Sequence, residues 1–148
     1  MDISKIVWPL VIVAVLGLGW LVTEGGVNYQ FKKYNEGATG TDPEKDALQE
    51  KGLSKLAGFL MTTFRYQKAA DTYNAAIDRF PNGENVWWNS YQLARCQEKL
   101  KNFDEAVRLL VFIRDQDGDS HDERIPGFDN LNLRIQKLVE THEIKGVS

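Results

Sequence analysis

The stretch YQLARCQEKLKNFDEAVRLL, residues Tyr91 to Leu110, decides how the rest of the chain is read. Ala94 and Ala106 stand as small residues among the large apolar Tyr91, Leu93, Leu100, Phe103, Leu109 and Leu110, with Lys99, Lys101 and Asn102 as a polar break midway. Apolar residues spaced by three and four on either side of the break give each half one apolar helical face. Small residues on such faces let two helices approach closely, where a larger side chain would overpack the contact. The stretch predicts a helical hairpin, and it holds no nucleophile pair, metal cluster or phosphate loop.

Working outward, the same pattern recurs. Leu53, Leu56, Ala57, Leu60 and Phe64 fall on one face of a first helix, and Tyr66, Ala69, Tyr73, Ala76 and Ile77 on one face of a second, ended by Pro81, Asn82 and Gly83. Trp87, Trp88, Tyr91, Leu93, Ala94 and Leu100 mark a third helix, and Phe103, Ala106, Leu109, Leu110 and Ile113 a fourth. A polar loop, DQDGDSHDERIPG, separates these from a fifth helix, Phe128 to His142, with Leu131, Leu133, Ile135 and Leu138.

The two hairpins repeat each other 37 residues apart: Leu56-Ala57, Tyr66, Ala69, Tyr73, Ala76 and Pro81 correspond to Leu93-Ala94, Phe103, Ala106, Leu110, Ile113 and Gly118. On these residues the chain resembles the tetratricopeptide repeat family, over about Glu50 to Gly118. The resemblance implies units of two antiparallel helices. Ala57 and Ala94 match the family's small residue of the first helix, Ala69 and Ala106 that of the second, and Pro81 the closing proline. Gly118 departs from that proline but is expected to end its helix, and the bulk of Ile113 argues against a third full unit. Phe128 to His142 is then a terminal capping helix, with Arg134, Lys137 and Glu140 expected to face water.

The fold class expected is all-α: a single N-terminal transmembrane helix, then a short antiparallel helical-repeat solenoid of two hairpins plus a capping helix. The resemblance also implies a concave surface lined by the first helix of each unit. Carried over residue by residue, it selects Ser54, Gly58, Met61 and Thr62 from the first hairpin, and Trp88, Tyr91, Arg95, Glu98 and Lys99 from the second. Trp, Tyr and Arg are frequent binding hot spots; the alternative is that Trp88 and Tyr91 simply cover the junction between hairpins.

The N-terminus differs in kind. Ile6 to Val22, IVWPLVIVAVLGLGWLV, is an uncharged apolar run of 17 residues, which as a helix covers about 25 Å of hydrocarbon. Trp8 and Trp20 sit near its two ends, where indole rings favour the membrane interface, and Pro9 falls in the first turn, where its missing N–H is tolerated. No A-x-A-like site follows, so an anchor over residues 1–23 is expected rather than a cleaved signal peptide. Residues 24–46, with Gly pairs, Asn-Glu-Gly and Thr-Asp-Pro, are expected to form a tether to the repeat domain at 47–148. Within it Tyr29, Phe31 and Tyr34 rest either on the membrane interface or a partner, or against their own domain. Lys5 and the N-terminal amine nearly balance Lys32 and Lys33 across the span. Short anchors of this type usually leave the tail in the cytoplasm, which puts the repeat domain on the periplasmic, extracytoplasmic side.

Composition narrows the function. A net charge of −3 leaves no basic surplus for nucleic acid, and the single cysteine, Cys96, excludes an internal disulfide or a CxxC site. His121 and His142 have no Ser or Cys at a nucleophile spacing, and the acidic run Asp115, Asp117, Asp119, Asp122 and Glu123 lacks the glycine and final glutamate of a calcium loop. No enzyme activity, cofactor or small-molecule ligand is expected. The chain reads as a protein-interaction module, an accessory or scaffold subunit of a membrane complex whose partners are its protein subunits and, through the anchor, lipid. The alternative is a membrane-anchored chaperone or assembly factor for envelope complexes.

Overall fold

The computed structural model describes residues 3–146, and side chains from residue 6 onward. Lys5 and the terminal amine, on which the expected orientation turns, lie outside the described side chains. Among the described residues there are eight helices: α1 (Ile3–Leu21), α2 (Glu24–Asn35), α3 (Pro43–Thr62), α4 (Tyr66–Arg79), α5 (Val86–Lys99), α6 (Phe103–Asp115), the single-turn α7 (Gly118–His121) and α8 (Phe128–His142). From α2 onward each long helix packs mainly on the next, α2 on α3, α3 on α4, α4 on α5, α5 on α6 and α6 on α8, in the manner of a helical repeat.

The alanines predicted to lie at close contacts do so. Ala57, Ala69, Ala76, Ala94 and Ala106 are all fully buried. One core, between α3, α4 and α5, gathers Leu56, Leu60, Tyr73, Leu93 and Cys96, and a second, between α5, α6 and α8, gathers Leu110, Ile113, Leu131 and Ile135. Each apolar side chain so placed contributes about 1.5–3 kcal/mol. The hairpin turns share one geometry at the same 37-residue interval. Arg65 N–H reaches the Leu60 carbonyl at 2.9 Å and Asn102 N–H the Gln97 carbonyl at 2.9 Å, with Phe64 (φ 62°) and Lys101 (φ 63°) left-handed between them. This is the helix-ending motif in which a residue past the C-terminus turns left-handed so that the last carbonyls find donors.

Several expectations are corrected. Phe64 is not on the core face of the first helix; α3 ends at Thr62 and Phe64 is 78% exposed. Gly118 does not end α6, because Asp117 takes the left-handed position (φ 52°). Gly118 is instead buried where a Cβ would meet Ile113 Cγ2 at 2.6 Å, so its lack of a side chain serves close approach. Leu133 is exposed because it lies roughly 200° around α8 from Leu131. The polar loop buries Ile125 and folds α7 within it.

The stretch expected as a tether contains a docked helix. Thr23 Oγ1 caps α2 by accepting from Gly26 N–H at 3.3 Å, and Val27 is 2% exposed in the first core. Phe31 and Tyr34 also pack inward, whereas Tyr29 stays exposed against Trp20, ring centroids 5.8 Å apart. Both ends of α2 are tied to α4. Lys68 pairs with Glu24 at one end, and Arg79 Nη1 donates to the Asn35 carbonyl at 2.7 Å at the other, satisfying a helix C-terminus that would otherwise lack donors. The two helices therefore run side by side in the same direction. Local sequence hid α2 because Gly25 and Gly26 weaken its helical signal, while tertiary contacts supply what propensity lacks.

α1 meets α2 at a bend of 71°. Its side chains from Ile6 to Trp20 are all exposed. Among the described residues no single helix is long and apolar enough to cross a membrane, and the bent pair of α1 and α2 passes that test of length and composition only when taken together.

Two glycines of α3 predict opposite responses. A Cβ at Gly52 would run into the Tyr34 ring of α2, whereas one at Gly58 meets Tyr73 Oη at an ordinary 3.7 Å. Gly52→Ala should lower stability by about 1–3 kcal/mol through overpacking, and Gly58→Ala should raise it by about 0.5–1 kcal/mol through helix propensity. Urea melts of the two variants check the signs.

Candidate interaction groove

α3 and α5 flank a groove of about 580 Å³ with α4 beneath it. From α3 come Lys51, Ser54, Lys55, Gly58, Met61 and Thr62, and from α5 come Trp88, Gln92, Arg95 and Lys99. Each set follows the three-and-four spacing of one helical stripe. Tyr73, 2% exposed, lies at the floor, and Tyr66 stands at the end near the α3–α4 turn. The absence of a side chain at Gly58 leaves the floor open beside the Tyr73 hydroxyl.

The opposite end is closed by a polar network. Glu50, 3% exposed on α3, accepts from Asn85 N–H at 2.8 Å and so caps the start of α5. Arg124, from the segment before α8, donates to Asn85 Oδ1 at 3.0 Å and to both oxygens of Asp122, and its guanidinium lies 5.0 Å over the Trp88 ring. Trp88 thus lines the groove beside Arg124 while it packs against the second core, that of α5, α6 and α8.

The sequence-predicted residues divide. Ser54, Gly58, Met61, Thr62, Trp88, Arg95 and Lys99 come together in this groove. Tyr91 and Glu98 do not; they turn to the other flank of α5 and are taken up by α8. Arg134 spans the Glu98 carboxylate with two hydrogen bonds, 2.8 and 2.9 Å, and reaches Tyr91 Oη at 3.4 Å. Arg134 therefore fastens the terminal helix rather than facing water. Lys51, Lys55, Tyr73, Asn85, Gln92 and Arg124 are lining residues that the family pattern did not select. The lysines were legible as the i−3 and i+1 neighbours of Ser54, whereas Arg124 arrives only through the chain path after α7.

Electrostatics gives the groove its character. Among the described residues five cations line it, Lys51, Lys55, Arg95, Lys99 and Arg124, and no carboxylate does, although the chain as a whole carries −3. Arg124 is matched by Asp122, whose carboxyl it holds below the usual range. Among the described residues Lys51, Lys55, Arg95 and Lys99 have no ion-pair partner. Burial pushes the Tyr73 phenol up, and it pushes the Cys96 thiol up to about 11, so both stay protonated at neutral pH and neither is primed as a base or nucleophile. His121 stacks on Trp87 at 5.0 Å and His142 on Phe103 at 3.4 Å, both outside the groove. What the arrangement can do is hold an extended, negatively charged segment against cations and an indole face.

Comparison with known proteins bears on the same helices. The tetratricopeptide repeat family profile matches residues 89–110, which cover most of α5, the turn and the first eight residues of α6. Such repeats are typically non-catalytic and bind proteins, and one motif is matched. No curated protein and no solved structure matches the chain.

Glu50 yields a pH prediction. Burial holds its carboxyl above the ordinary 4.5, so over the interval from 4.5 to the raised value the folded chain keeps a proton that the unfolded chain has released. This group's contribution to stability falls as pH rises through that interval. Glutamine keeps the acceptor oxygen for Asn85 and carries no such slope. The stability of Glu50→Gln minus that of wild type should grow across the interval, measured by urea melts between about pH 4 and pH 7.

Proposed function

We propose that the chain is a non-catalytic accessory subunit of a membrane protein complex, anchored as a single-pass protein by α1, which uses its groove to hold an acidic, extended segment of a soluble partner subunit. The observation that carries this reading is the charge of the groove: four cations without acidic partners among the described residues and one indole ring, collected on the stripe of α3 and α5, in a chain that is negative overall. Cations left unpaired across a shallow groove repel one another, and a carboxylate-bearing segment relieves that repulsion as it binds.

The anchoring half of the reading draws on α1. Its apolar side chains from Ile6 to Trp20 are exposed all round, a condition suited to hydrocarbon rather than water. α2 is polar, and it is docked on α3 and α4, which favours α1 as the membrane segment of the bent pair. Trp8 and Trp20 then stand near the two interfaces with Pro9 in the first turn. We place the helical array on the extracytoplasmic side, which protease added outside sealed cells would reach.

Solubilising membranes in mild detergent and purifying the full chain by a C-terminal tag tests the reading. A partner recovered in stable, near-equal amount supports a subunit, whereas substoichiometric recovery of many proteins points to an assembly factor. Lys55→Glu with Lys99→Glu should melt like wild type and weaken retention about tenfold or more at low salt, and added salt should weaken the wild-type complex. Trp88→Ala should cost about 2 kcal/mol of binding. Full retention of the partner by the double reversal at low salt would refute the groove as its seat.

A further inference from the structure

The turn between α3 and α4 carries a residue that its geometry does not call for. Phe64 sits at φ 62°, where residues other than glycine and asparagine are strained, and its ring is 78% exposed, with its edge contact to Tyr66 at 6.1 Å between centroids. The twin turn between α5 and α6 makes the same backbone hydrogen bonds and places Lys101 at that position. A soluble side chain therefore satisfies this turn, and neither core packing nor turn formation accounts for an exposed phenyl group.

Location accounts for it. Arg65, the next residue, donates from Nη2 to the Val22 carbonyl at 2.9 Å, at the end of α1, and Glu24 pairs with both Arg65 and Lys68. Phe64 is thereby held within one side chain's reach of the point where the exposed apolar surface of α1 stops. Trp20, Val22 and Tyr29 are exposed at that same end.

We propose that the α3–α4 turn is a second membrane contact, with the Phe64 ring seated in the interfacial layer of the leaflet from which α1 emerges, beside Trp20 and Tyr29. The proposal rests on the reading of α1 as the bilayer anchor. Aromatic side chains favour that layer, and Arg65 and Lys68 beside it match the level of the headgroups. One helix alone leaves the array free to tilt and rotate on the membrane. A second contact fixed by Arg65 removes that freedom and presents the groove in one orientation.

The test uses the full chain reconstituted in vesicles of three parts phosphatidylcholine to one part phosphatidylglycerol, with and without lipid spin-labelled high on its acyl chain. An environment-sensitive fluorophore is attached at Phe64→Cys, Val13→Cys or Leu133→Cys in separate proteins. Cys96 is fully buried and does not compete for label, and Lys101 in the twin turn shows that the turn folds without an aromatic residue. The label at 64 should be quenched about twofold or more beyond that at 133, as a group in the interfacial layer is, and the label at 13 should be quenched as well. Quenching at 13 with position 64 no more quenched than 133 would overturn the second contact and leave the anchor standing. No quenching at 13 would overturn the anchor and the second contact with it.

Discussion

Everything in the array depends on neighbouring helices closing to the separation at which a methyl group fills the gap between them. Ala57, Ala69, Ala94 and Ala106 occupy that gap, and none exposes any surface. An amphipathic helix has one apolar stripe to bury, and a stack in which each helix leans on the next buries both sides of the inner helices only if the backbones come close. The paired turns enforce the same spacing from the chain side. Phe64 and Lys101 adopt the same strained backbone at the same offset, so the two hairpins enter the stack in register.

That spacing also creates the groove. With α3 and α5 both resting on α4, their outward stripes face each other across a gap with Tyr73 at its floor. The chain fills one end with the Glu50, Asn85, Arg124 and Asp122 network and leaves the middle open, lined by side chains that repel one another. Like charges gathered on one surface repel one another, and this charge, more than the groove's shape, is the basis of the acidic occupant proposed for it.

Much of this was legible in the sequence, and the misses share a cause. Helical periods and small residues are local signals, so the hairpins and the alanine contacts could be read from spacing alone. Which flank of a helix stays open is decided by distant chain. Trp88, Gln92, Arg95 and Lys99 lie within about 60° of one another around α5, whereas Tyr91 and Glu98 sit beyond one edge of that stripe. Only the approach of Arg134 on α8 decides that this edge is covered. Likewise α2 has a weak local pattern, and Arg79 and Lys68, 44 residues away from Asn35 and Glu24, hold it in place.

The two ends explain how a stack with only two recognisable hairpins holds together. Arrays of this kind need about three units, because terminal helices expose faces that inner ones bury. Here α2 runs beside α4 in the same direction and packs on α3 as α4 packs on α5, so it occupies the place of a preceding unit's second helix. At the other end α8 packs on α6, over Ile113. Six helices, the equivalent of three pairs, therefore form the stack, although the outer two carry little of the repeat's sequence. Ile113 packs there with Leu131 and Ile135 of α8. Because α2 follows α1 after the two residues Val22 and Thr23, the helix that completes the stack also joins it to the N-terminal helix. Loosening α2 would weaken the fold and free the stack from α1 in the same step.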